Sequence, residues 1–151
     1  MSDLRQLQLV VEVETKREQM CAKNYQLAQN NVNDNRTKLQ CLEDYRLNYL
    51  KMIQKKGQQG FGASTMHQHH SFVGKLDKAC EQQVQFLNQA SLAAEQRKRQ
   101  WLAQQQKRKA IEHLISKKKS QASLQEQRVE QQLFDEIALQ KHIRNDGRRI
   151  F

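Results

Sequence analysis

From Leu4 to Ile53, apolar residues recur at alternating steps of three and four, and neither proline nor glycine interrupts the run. The positions are Leu4, Leu7, Val11, Glu14, Glu18, Cys21, Tyr25, Ala28, Val32, Asn35, Leu39, Leu42, Arg46, Tyr49 and Ile53, of which eleven of fifteen are apolar or aromatic. Such spacing places one narrow seam along a helix, as in a coiled coil. Composition agrees. Glutamine, leucine, lysine, arginine, glutamate and alanine dominate, and these lose little side-chain freedom in a helix. The chain has no proline, and aromatic residues make up only 6%. It is therefore poor in the material of a thick core, and the expectation is long helices burying a thin seam.

The pattern stops at KKGQQGFGAST, residues 55–65, where three of the five glycines sit. Glycine costs roughly 1 kcal/mol inside a helix and tolerates positive φ. Lys55 and Lys56 suit a helix C-terminus, and Ser64 or Thr65 could cap the next helix. A second run follows from Val73 through Leu76, Cys80 and Trp101 to Val129, Leu139 and Ile143, with thirteen of twenty-one seam positions apolar. Asn145, Asp146 and Gly147 mark its expected end. The sequence thus predicts an all-α antiparallel coiled-coil hairpin forming a single domain over 1–151. Its helices are expected over about 2–56 and 66–145, with the turn over about 57–65 and the second helix the longer.

Antiparallel pairing across so short a turn brings together residues whose numbers add to about 121. Residue 4 then meets roughly residue 117, and residues 118–145 have no partner in the chain. A lone helix is marginal in water, so this overhang is expected to fray, self-associate or be completed by another protein. Glu14 falls opposite Arg108, a register-fixing ion pair of small net stability.

Most polar clusters read as solvated surface. His67, His69 and His70 lie near Cys80, but zinc wants about four N or S ligands in tetrahedral array and no CxxC is present. The expectation is a solvated first turn of helix, with no metal. Cys41 and Cys80 are expected as reduced thiols in a cytoplasmic protein. No apolar run reaches the roughly 20 residues of a membrane span, and no secretion signal opens the chain. No phosphate loop, organised nucleophile or cavity-forming element points to catalysis, a cofactor or a small-molecule substrate. Residues 97–119 hold nine Lys/Arg and one acid, Glu112. Solvated faces, docking to an acidic protein and binding of nucleic acid are all open readings, and nucleic acid is the least expected because Trp101 sits on the seam.

Near the turn the apolar residues exceed what a seam needs. With Leu39 and Leu42 at heptad positions a and d, Tyr45 and Met52 fall at g and Leu50 at e. On the second helix Phe72 and Ala79 fall at g. The g flanks of an antiparallel pair lie together, so Tyr45, Phe72 and Ala79 share one side, where charged residues are usual. An uncovered aromatic patch marks a binding surface.

LxxLxDYxxxY at 39–49, the glycine-bearing turn, FxxxLxKAxEQ at 72–82, Trp101 and EQQxxDExA at 130–138 resemble, in order and spacing, the flagellar FliJ family. The resemblance implies a non-enzymatic cytoplasmic component of the flagellar type III export apparatus, peripheral to the inner membrane. It implies an antiparallel coiled coil similar to the stalk of rotary ATPases, whose free ends enter the hexameric export ATPase and stimulate it. Those ends are Leu4, Leu7 and Val11 with Val129, Glu130, Gln131, Asp135, Glu136 and Leu139. A second partner is the export-gate membrane protein, which the resemblance assigns to Leu42, Tyr45, Tyr49, Phe72, Leu76 and Ala79. Flanking polar positions appear here as Lys38 and Gln83. Export chaperones, which the family helps to recycle, are the third partner. Other readings of the residues are a basic coiled coil that binds nucleic acid and a purely structural dimerising coiled coil.

Overall fold

The computed structural model describes residues 2–150, with side chains as far as Arg148. Two helices make up the fold, α1 (Ser2–Gly57) and the longer α2 (Ala63–Ile150), and they pair as an antiparallel hairpin. Among the described residues there is no strand. Contacts within the chain divide it into two compact units, Lys16–Gln105 and Met1–Thr15 with Gln106–Phe151.

The turn is shorter than the sequence predicts. Gln59 N–H donates to Lys56 O (3.0 Å) and Gly60 N–H to Gly57 O (3.2 Å), so the end of α1 tightens into three-residue steps that satisfy its last carbonyls. Gly60 then turns the chain at φ +90°, a conformation side chains with a Cβ resist. Gly62 O accepts the N–H of Met66 (3.1 Å), so Gly62 is the N-cap of α2. Ser64 and Thr65 therefore lie inside the first helical turn instead of capping it. At the other end α2 runs on through Asn145, Asp146 and Gly147, where a His142–Asp146 pair (3.2 Å) bridges consecutive turns. One exposed glycine is too weak a signal to end a helix of this length. Gly60→Ala is expected to cost about 1 kcal/mol and to lower Tm by roughly 3 °C, read by thermal unfolding with circular dichroism.

In the unit Lys16–Gln105 the predicted seam is the observed one. Every seam position of α1 in this unit, from Glu18 to Ile53, is buried or half-buried. On α2 the same holds from Val73 to Gln104, except for Arg97, which is exposed. The core is thin. Val32 packs with Ala90 and Ala94, supported by Ala28 and Leu87. Small residues opposite Val32 leave little volume to fill, which suits a chain poor in large apolar residues. Polar seam residues are satisfied internally: Gln83 Nε2 donates to both Asn35 O and Asn35 Oδ1 at 3.0 Å, and the rings of Tyr25 and Trp101 stack at 5.8 Å. A buried amide with two acceptors costs little and fixes register. Arg46 bonds Asp77 across the helices, half in solvent, where such a pair adds little stability.

In the second unit Leu4, Leu7 and Val11 are half-buried, as are Ile111 and Ile115 on α2. Glu14, 4% exposed, takes Lys107 Nζ at 3.5 Å as an ion-pair partner across the helices. Arg108, the neighbour of Lys107, donates along its own helix to Glu112 (2.9 Å). Asp3 and Leu4 close a shallow groove with Lys118, Ala122 and Glu126, near where the sequence places the last partner of α1. From Lys119 to Arg148 every side chain is exposed.

Candidate docking surfaces

The first surface lies at the turn end of the unit Lys16–Gln105. Heptad position g brings Tyr45 of α1 beside Phe72 of α2, ring edge to ring face at 6.4 Å and 79°. Tyr49 also packs on Phe72, at 4.7 Å and 62°. Edge-to-face pairs of this kind are favourable beyond their buried area. Tyr45 is 53% exposed even with Phe72 beside it. Leu42, Tyr49, Phe72 and Ala79 are half-buried, whereas Leu76 is buried in the seam. Of the residues expected here, Tyr45, Tyr49 and Phe72 are brought together as one ring cluster. Lys38 is exposed beside it, and Gln83 is turned inward to Asn35.

His69 departs from the expected solvated turn. Its Nδ1 lies 2.6 Å from Tyr49 Oη, and its ring packs on Phe61 at 5.1 Å. His67 and His70 are exposed. Phe61 and His69 therefore extend the aromatic cluster from Tyr45 to the turn. The spacing held the signal: His69 is three residues before Phe72, hence on the same side of α2, and Phe61 is the one large apolar residue among the turn glycines. Among the described residues no group of three or more His, Cys, Asp or Glu is placed to hold a metal ion. The three cysteines are free thiols.

The second surface is the far part of α2. Val129 and Leu139 are 55% and 59% exposed, and Glu130, Gln131, Asp135 and Glu136 are exposed with them. Gln131 Nε2 donates to Asp135 Oδ1 at 3.1 Å along the helix. Leu4, Leu7 and Val11 belong to the same unit but are half-buried against α2. Leu124, Leu133, Phe134 and Ile137 are also exposed; they are neither seam positions nor among the residues of the EQQxxDExA motif on which the expected contacts fall. Their exposure leaves apolar side chains on several sides of this helix, not along one stripe. No helix among the described residues is long and apolar enough to cross a membrane.

The chain is thus an antiparallel helical hairpin with a thin core and large apolar side chains left uncovered. The model of the flagellar FliJ protein family matches residues 2–147, and the chain belongs to that family, a component of the flagellar protein export apparatus. No curated protein and no solved structure matches the chain significantly.

Proposed function

We propose that the protein binds and stimulates the hexameric export ATPase through its free ends and joins it to the export-gate membrane protein through the turn-end aromatic surface. The observation that carries the first part is the far portion of α2. A helix with apolar side chains on several sides is normally buried all round. Leu124, Val129, Leu133, Phe134, Ile137, Leu139 and Ile143 are all more than two-fifths exposed. A partner that encloses the helix, as a ring encloses a stalk, accounts for this better than a groove on one side. Val129, Glu130, Gln131, Asp135, Glu136 and Leu139 would line that contact, with Leu4, Leu7 and Val11 holding α1 against its base.

The gate contact rests on Tyr45 and Phe72, an aromatic pair left open by a fold with no third layer. In this reading the protein is a regulator and not itself an enzyme, works at the cytoplasmic face of the inner membrane, and takes part in recycling export chaperones. ATP hydrolysis by the purified export ATPase is expected to rise severalfold on adding the protein in slight excess over rings, with the two eluting together. An unchanged rate and separate elution would remove the reading.

A further inference from the structure

Within the second unit, the two flanks of the hairpin base differ in kind. Along residues 4–14 of α1 and 107–118 of α2, heptad positions e and b carry Arg5, Gln8 and Glu12 against Lys109, Glu112 and Ser116, all polar and all exposed. The opposite flank, positions g and c, carries Val10 and Val13 against Ala110 and Leu114. Val10, Val13 and Leu114 are 41%, 48% and 42% exposed, and Ala110 is exposed with them. Leu9, at f, faces away from α2 and belongs to neither flank.

Register puts the apolar side chains together. Glu14 pairs with Lys107 on one side of them, and Leu4 lines a groove with Lys118 and Ala122 on the other. Val10 and Leu114, both at g, therefore stand within about one helical turn of the same level along the axis. Lys107, the charged residue at g, reaches across the helices to the buried Glu14. Four small side chains expose too little for a contact of their own, since a stable pair of proteins buries roughly 800 Å² on each partner. Leu114 does, however, lead to the uncovered far part of α2. Leu124, at c on the same flank, is 52% exposed and lies about 15 Å further along the helix.

We infer that the partner enclosing the far part of α2 also reaches the base, and does so on the g flank alone. It seats an aliphatic surface on Val10, Val13 and Leu114 while the e flank stays in water. This rests on the ATPase reading and adds to it the side of approach. Half-burial of Leu4, Leu7 and Val11 against α2 then has a use, because it holds Val10 and Val13 in place as the α1 half of the contact. The contact is one-sided for a physical reason. Covering aliphatic side chains is favourable, whereas an aliphatic surface over Arg5, Glu12 and Lys109 strips their water and returns no hydrogen bond.

Two measurements on the full-length protein with the purified export ATPase test the inference. Val13→Gln combined with Leu114→Gln should raise the concentration for half-maximal stimulation by about fivefold or more, with the melting temperature unchanged because both side chains already lie largely in solvent. Glu12→Gln combined with Lys109→Gln, on the other flank, should leave that concentration as it is. Single cysteines introduced by Val13→Cys, Leu114→Cys, Glu12→Cys or Lys109→Cys, with Cys21, Cys41 and Cys80 replaced by serine, report the side directly. The ATPase should slow maleimide labelling at positions 13 and 114 by about fivefold or more and leave positions 12 and 109 unaffected. Equal protection of both flanks would overturn the inference. So would protection of neither while deletion of residues 118–151 still abolishes binding, and the ATPase reading would then stand without it. Absence of binding by the wild-type protein would remove both. A wild-type dimer that Val13→Gln converts to a monomer in sedimentation would assign the patch to a second copy of the chain instead.

Discussion

Removal of residues 118–151 is expected to abolish both binding and stimulation of the export ATPase while leaving the hairpin folded. The segment carries seven large apolar side chains that are more than two-fifths exposed, from Leu124 to Ile143. Full burial of such a side chain is worth about 1.5–3 kcal/mol, and roughly half of that remains available here because the helix already covers part of each. The sum, about 5–10 kcal/mol before the costs of association, is large enough that its loss removes most of an affinity in the roughly millimolar to micromolar range. The deletion spares the half-buried Leu7, Val11, Ile111 and Ile115 and the Glu14–Lys107 pair, and removes the α2 wall of the groove beside Leu4. The truncated protein should therefore retain the thermal transition of the hairpin while losing helical signal in proportion to the residues removed. Stimulation of the ATPase by the truncated chain at the wild-type level would place the contact elsewhere.

Replacing Tyr45 and Phe72 together by alanine is expected to weaken gate binding by tenfold or more with ATPase stimulation unchanged. Aromatic anchors at the centre of an interface cost about 2 kcal/mol or more on truncation, and each further tenfold takes about 1.4 kcal/mol. Tyr45 is the cleaner probe, because over half of it is already in solvent and its loss removes one edge-to-face contact from the monomer. Phe72 also supports Tyr49 at 4.7 Å, so its loss loosens the Tyr49–His69 pair as well. Titration of the purified cytoplasmic part of the gate protein, beside a melting curve for each variant, separates the two effects. A joint fall in gate binding, ATPase stimulation and melting temperature would make the cluster ordinary core.

Much of this was legible in the chain itself. The three–four repeat identified which residues meet across the helices, because a seam needs only periodicity and that is local information. The same repeat puts Tyr45 and Phe72 on one side of the hairpin. The turn was harder. Three glycines allow several closures, and only the bonds from Gln59 to Lys56 and from Met66 to Gly62 select one, starting α2 three residues early. For His69 the spacing supplies the side of α2, three residues before Phe72, but its hydrogen bond to Tyr49 and its packing on Phe61 depend on how the turn closes.

The sequence by itself determined the helices, their antiparallel order, the seam, and the absence of an internal partner for the far part of α2. These follow from helical periodicity, from where glycine interrupts it, and from the unequal lengths on either side. Tertiary structure alone decided which side chains within that pattern are left in solvent. Arg97 is exposed at a seam position while Gln83 is buried at another, because Gln83 finds two acceptors on Asn35 and Arg97 hydrogen-bonds Gln100 on the outer face. A polar side chain stays in a seam when the opposite helix satisfies it, and that depends on which atoms meet across the pair.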